Sequence, residues 1–217
     1  MIKLQSTRKV FWENPYLTEL TAKITSVIGS DIMVDKTIFY PFSGGQESDE
    51  GFIGGQKVLS AKKINNDIVY TVDDASNFQI GDDVSVVIDW DRRYKLMKLH
   101  FSAEIVLELF LKRFPGIEKL GAHIAQDKAR LDFKTENNLT DAGVEIEKDA
   151  NKIIEKDDII ISDFSDRETE RRYWEIIGFA KVPCCGTHLK TTGEIGGLRL
   201  KRKTAGKGKE RIEIYLK

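Results

Sequence analysis

Residues 89–116, DWDRRYKLMKLHFSAEIVLELFLKRFPG, divide the chain in two. Met97, His100, Glu104, Leu107 and Leu111 recur at steps of three and four within it, which predicts a helix over 91–114 with these residues on one face. Pro115-Gly116 stops that helix. Upstream the period is different. Short alternating or β-branched runs at 20–28, 32–35, 57–63, 68–72 and 84–89 predict strands, and Gly29-Ser30-Asp31, Asn65-Asn66-Asp67 and Gly81-Asp82-Asp83 predict the turns between them. Strands at this spacing predict a small barrel-like domain over 1–89.

Downstream the pattern is mixed. Strands are expected at 122–125, 129–133, 158–162, 198–202 and 211–216, the last two flanking a turn at 206–208. A helix is expected over 140–155, with Ile146, Ala150 and Ile153 inward, and another from the capping-box pattern Ser165-Asp166-Arg167-Glu168 through Ile177. The expected fold class is therefore α+β: a β-barrel-like domain over 1–89, then an α/β domain over 90–217 with helices packed on an antiparallel sheet.

The 217 residues are 41% hydrophobic and 32% charged, a composition that excludes global disorder. No apolar run approaches the ~18 residues of a membrane span, and the first residues, MIKLQSTRKVFWENPY, lack a signal-peptide apolar stretch. Cys184 and Cys185 are the only cysteines, and adjacent thiols make a poor structural crosslink, so a reducing, cytoplasmic setting is expected. The net charge of −1 argues against a nucleic-acid partner until it is divided. From Lys181 to Lys217 ten basic residues face three acidic ones, a local +7 that leaves −8 for residues 1–180. A basic end of that kind suits phosphates; a solvated lysine-rich hairpin is the alternative.

Four side chains suggest chemistry. His100 and Glu104 stand one turn apart on the predicted helix, and Cys184-Cys185-Gly186-Thr187-His188 adds a thiol and a second imidazole. One sulfur, two nitrogens and one oxygen suit tetrahedral Zn²⁺ better than Mg²⁺ or Ca²⁺. A helix-surface His–Glu pair and a small core cysteine would also explain them, but the His100/Glu104 face carries Met97, Leu107 and Leu111, and a buried carboxylate needs a partner. A second feature, FYPFSGGQESDEG at 39–51, breaks a strand with Pro41 and offers Gly44, Gly45 and the amide of Gln46 to a ligand, although a plain turn would also use Ser-Gly-Gly.

Taken in order, FYPFSGGQESDEG, DWDRRYKLMKLHFSAE, GAHIAQDKARLDF (121–133), CCGTH (184–188) and TTGEIGG (191–197) resemble the editing domain of alanyl-tRNA synthetases and the free-standing AlaX proteins related to it. The resemblance covers about residues 37–217. It implies a zinc-dependent aminoacyl-tRNA deacylase, a hydrolase that removes serine or glycine from tRNA(Ala) in trans. It implies a metal set of His100, Glu104, Cys184 and His188, with Cys185 where the family has a glycine and Glu104 where it has a second histidine, either as a carboxylate ligand or beside the metal with a water at that position. It also implies substrate-binding roles for Gly44, Gly45, Gln46, Gln126 and Thr187. A chain of this length leaves no room for a catalytic synthetase domain, and no residue is singled out as general base. For tRNA contact the expected residues are Arg92, Arg93, Lys201, Arg202, Lys203, Lys207 and Lys209. The alternative expectation is a zinc-stabilised tRNA-binding module without hydrolytic activity. The sequence assigns no oligomeric state.

Overall fold

The computed structural model describes residues 6–217, so the first five residues of the stretch read for a signal segment lie outside it. The protein is a mixture of helices and antiparallel strands that divides into two compact units. One comprises residues up to Ser43 together with Glu47–Tyr94; the other comprises Gly44–Gln46 and Lys95–Lys217.

The first unit contains β1 (Arg8–Lys9), α1 (Val10–Glu13), β2 (Glu19–Ile28), β3 (Asp31–Val34), β4 (Lys36–Thr37), β5 (Gly51–Ile53), β6 (Gln56–Ile64), β7 (Asp67–Val72) and β8 (Asp83–Ile88). Six of these strands pair in the order β2-β3-β7-β6-β5-β8, and β8 pairs in turn with β2, so the ladder closes on itself. Alternation drives this: Ile68, Tyr70 and Val72 of β7 and Val84, Val86 and Ile88 of β8 point inward while their neighbours face outward. The expected turn at Asn65 takes a left-handed backbone, φ +55°, which asparagine tolerates.

Helix α2 (Trp90–Arg113) starts where the period changes. The Asp89 carboxylate accepts a hydrogen bond from the Arg92 amide at 3.0 Å and caps it. Arg92 and Arg93, expected at the tRNA, are drawn into ion pairs. Arg93 is wholly buried, with its guanidinium on both Asp49 carboxylate oxygens and the carbonyls of Ile38 and Pro15. Arg92 donates to Glu47 at 2.8 Å and to the Ser48 carbonyl at 3.1 Å. Both hold the first unit together, and neither presents a free cation to a phosphate. The helix is buried on most sides between Leu96 and Val106, whereas Leu111, expected inward, is exposed.

The second unit adds β9 (Glu118–Ile124), β10 (Ala129–Lys134), α3 (Thr140–Glu155), β11 (Ile161–Asp166), β12 (Arg171–Ile176), β13 (Ala180–Pro183), β14 (Leu198–Thr204) and β15 (Lys209–Leu216), with a short 3₁₀ turn at Thr192–Ile195. A four-stranded sheet runs β14-β15-β10-β9. Its apolar face carries Leu131, Phe133, Ile212 and Ile214, and Phe110 of α2 meets Phe133 there with ring centroids 5.0 Å apart. Helix α3 covers the β14 edge. Asn151 bonds both the amide and the carbonyl of Leu198, and Glu147 accepts from the Leu200 amide at 2.8 Å, which satisfies an edge otherwise open to other strands. Ile154 rather than Ile153 is the buried residue of its last turn.

The expected helix over 165–177 is instead the hairpin β11–β12, and the strand expected at 158–162 is displaced into it. Arg171–Ile176 alternates outward and inward with Arg172, Trp174 and Ile176 buried. The Asp166 side chain does not cap a helix: it accepts from the Glu168 and Thr169 amides and the Thr169 hydroxyl, closing the turn. A third strand, β13, pairs with β12 and delivers the chain to Cys184.

Candidate metal centre

Three elements of the second unit bring together His100, Cys184 and His188. The His100 ring leaves α2 buried. Cys184 follows β13, and its amide donates to the Arg172 carbonyl on β12 at 3.0 Å, fixing the start of the loop. His188 stands four residues on, its Nδ1 2.8 Å from the Ser162 hydroxyl of β11, which leaves Nε2 to face inward. Both imidazole Nε2 atoms lie 3.3 Å from the Cys184 Sγ, and the three donor atoms all fall within 4.8 Å of one another. Gly186 permits this closeness: a Cβ there would stand 2.4 Å from the His100 Nε2.

The donor set fits a metal. Tetrahedral zinc, with Zn–S about 2.3 Å and Zn–N about 2.0 Å, holds sulfur and nitrogen about 3.5 Å apart, close to the separations found. Burial lowers the pKa of His100, with Lys119 adding to the effect and Glu104 opposing it. Burial, helped by His100 and Arg172, holds His188 well below its ordinary value, so both rings are neutral, the form that ligates. Burial and then the Glu104 carboxylate push the Cys184 thiol up; a bound cation is what reverses that and favours thiolate.

Glu104 stands beside the three rather than among them. Its Oε1 is 3.6 Å from both the His100 Nε2 and the Cys184 Sγ, while its Oε2 accepts a hydrogen bond from the Trp174 indole at 3.0 Å. Cys185 is exposed, and neither cysteine is in a disulfide.

The glycine-rich segment docks on β9. The Gly45 carbonyl accepts from the Ile124 amide at 2.8 Å, and Gln46 bridges to Ile124 in parallel. Gly45 has φ +84°, and a Cβ on it would meet the Ala122 carbonyl at 2.4 Å, so only glycine allows this approach. Gln46 is completely buried, and neither its Oε1 nor its Nε2 has a hydrogen-bond partner. The buried hydroxyl of Thr187 is likewise unpartnered. Unpaired buried polar atoms are costly and mark places where a polar ligand group fits. Gln126 lies in the tight turn that joins β9 to β10, closed by the Ala125 amide on the Lys128 carbonyl at 3.0 Å. Gln46 is thus held against β9, and Gln126 lies in the turn that follows it.

Among the C-terminal cations, Lys201, Lys203, Lys207 and Lys209 are exposed. Arg202 differs from them: it turns to the opposite side of the sheet, where its guanidinium grips both oxygens of the buried Glu210. Sequence reasoning missed Ser162 and Trp174. The alternation in Arg171–Ile176 is the signal that would have placed Trp174 inward beside Glu104.

Residues 5–92 match the family of class II (A) tRNA synthetases, and residues 175–213 match the second additional domain of threonyl and alanyl tRNA synthetases. The alanyl-tRNA editing protein AlaX-M of Pyrococcus horikoshii is 35% identical over 98% of this chain and 99% of its own. That of Methanosarcina mazei is 33% identical over 96% and 95%. The alanine–tRNA ligase of Methanococcus aeolicus is 33% identical over 97% of this chain, which spans 26% of the ligase. With such relatives aligned from end to end, and with the donor cluster assembled from the segments that carry the resemblance, the chain belongs to the AlaX-M family of alanyl-tRNA editing proteins.

Proposed function

We propose that this chain hydrolyses the ester joining a wrong amino acid to tRNA(Ala), acting in trans and with zinc as its metal. The observation that carries the reading is the convergence of His100, Cys184 and His188 into one buried donor set, in a chain similar throughout to proteins named for alanyl-tRNA editing. The need for such an enzyme is physical: a pocket sized for alanine cannot exclude glycine and discriminates only modestly against serine.

In this reading His100, Cys184 and His188 hold the ion, and Glu104 completes or borders its coordination. When bound, the ion supplies positive charge that can ligate the amino acid's amine or hydroxyl, or polarise its ester. Ser162 keeps His188 in register, and the Trp174 indole keeps Glu104 aimed at the cluster. The unpaired amide of Gln46 and the hydroxyl of Thr187 receive polar groups of the terminal adenosine or the aminoacyl group, with Gly44, Gly45 and Gln126 shaping the approach. A β-barrel-like domain over 1–89, a zinc-holding domain over 90–217 and work in the reducing cytoplasm complete the proposal.

Purified protein with one zinc per chain is expected to deacylate Ser-tRNA(Ala), Gly-tRNA(Ala) or both faster than Ala-tRNA(Ala). Cys184→Ser is expected to lose metal and to lose more rate than the roughly 10–100-fold that follows loss of a ligand's own hydrogen-bond partner. A metal-replete wild type that hydrolyses neither ester would leave a zinc-stabilised tRNA-binding module in place of the enzyme.

A further inference from the structure

The four-stranded sheet has one apolar face and one open face, and the open face is basic. Along β14 the exposed residues are Arg199, Lys201 and Lys203, alternating with the more buried Leu198, Leu200 and Arg202. Register aligns them with cations far away in sequence. Lys201 stands opposite Glu213, which stands opposite Arg130; Lys203 stands opposite Arg211, which stands opposite Asp132. Lys128, in the β9–β10 turn, reaches the same row and pairs with Glu213 at 2.8 Å.

In the rows through Lys201 and Lys203 two acids are shared among several cations, and the next row adds Lys209 and Lys134 with Glu118. Glu213 holds Lys128 and Lys203, and Asp132 holds Arg211 with Arg130 at 3.7 Å. Each carboxylate is thus outnumbered by the cations it pairs with, and Arg199 and Lys201 add further charge. A sheet laced with ion pairs for solubility alone would balance its signs. Among these cations lies the ring of Tyr215, with the Lys128 ammonium 5.9 Å and the Arg199 guanidinium 5.8 Å from its centroid. A flat strand surface with excess positive charge and an aromatic ring flanked by cations matches a phosphodiester backbone with a base to stack.

We propose that this open face, centred on Arg199, Lys201 and Tyr215, docks the phosphate backbone of the tRNA body, with the Tyr215 ring against a base or ribose. The inference rests on the deacylase reading for its occupant and adds where that occupant lies. It removes Arg202, Arg92 and Arg93 from the contact set and adds Lys128, Arg130 and Arg199, which the linear sequence separates by up to 71 positions.

The test is binding of uncharged tRNA(Ala) by the full chain over a range of salt. Arg199→Glu with Lys201→Glu is expected to weaken binding about tenfold or more and to lower the salt slope by about two. Tyr215→Leu weakens it by several-fold, and Tyr215→Phe, which keeps the ring, restores it. Thermal unfolding and metal content of each variant report folding. Unchanged tRNA affinity in the folded double variant overturns the surface, as does loss of binding to anionic phospholipid vesicles with tRNA binding intact. Because uncharged tRNA needs no ester cleavage, a wild type that binds it in this way yet hydrolyses nothing overturns the enzyme reading alone.

Discussion

Two sets of cations, Arg92–Arg93 at the start of α2 and Arg199–Lys203 on β14, read alike in the sequence and have opposite fates. The Arg93–Asp49 pair is shut away, both side chains fully buried. On β14, Arg199, Lys201 and Lys203 face outward in alternation, and the most enclosed acid beneath them, Glu213, is shared by two lysines. A cation with its own buried carboxylate is part of the scaffold, whereas cations that outnumber their carboxylates are available to a partner. Arg93→Ala tests the first half of that contrast. It leaves the Asp49 charge buried without its partner and is expected to cost about 3–5 kcal/mol in urea unfolding. Affinity for tRNA per folded molecule should stay the same; weaker RNA binding with intact stability would break the comparison.

Glu213 sharpens the second half. Burial alone would raise its pKa, but hydrogen bonds from Lys128, Lys203 and Tyr215 outweigh that and pull it down to about 2. A carboxylate depressed by folding contributes stability that is complete above its unfolded value near 4.5 and is lost as pH falls from there toward 2. Glu213→Gln is therefore expected to be about 2 kcal/mol less stable at pH 7, the scale of a buried charge-assisted hydrogen bond. The gap from wild type should narrow through that acid range. A gap constant down to pH 2 would mean that the carboxylate does not organise this face.

The same contrast explains how much was legible beforehand. The helices α2 and α3 and most strands of the first unit follow from period and turn residues, because one buried face and one solvated face leave that signature locally. The hairpin β11–β12 did not, since Ser165-Asp166-Arg167-Glu168 satisfies a helix cap on paper while the Asp166 side chain is used in a turn. At the site, His100, Cys184 and His188 were readable as motifs. Ser162 and Trp174 were not, because they act across strands on groups distant in sequence, as Trp174 does on Glu104 from 70 positions away. The buried, unpaired amide of Gln46 depends on the docking of its loop on β9, which no spacing reveals.

Arg202 and Lys203 carry the comparison to neighbouring residues. Strand geometry sends them to opposite faces, Arg202 onto the buried Glu210 and Lys203 to the open face beside Glu213. Arg202→Ala strands a buried carboxylate and is expected to cost about 1–2 kcal/mol while leaving the salt dependence of tRNA binding unaltered. Lys203→Ala removes a half-exposed partner and is expected to cost no more than about 1 kcal/mol, yet to lower the salt slope by about one. Unfolding curves and salt titrations of the two variants thus form a crossed pair. If both variants shifted stability and neither shifted the slope, Lys203 would be scaffold like Arg202, and the tRNA contact would be confined to the Arg199–Lys201 end of the face.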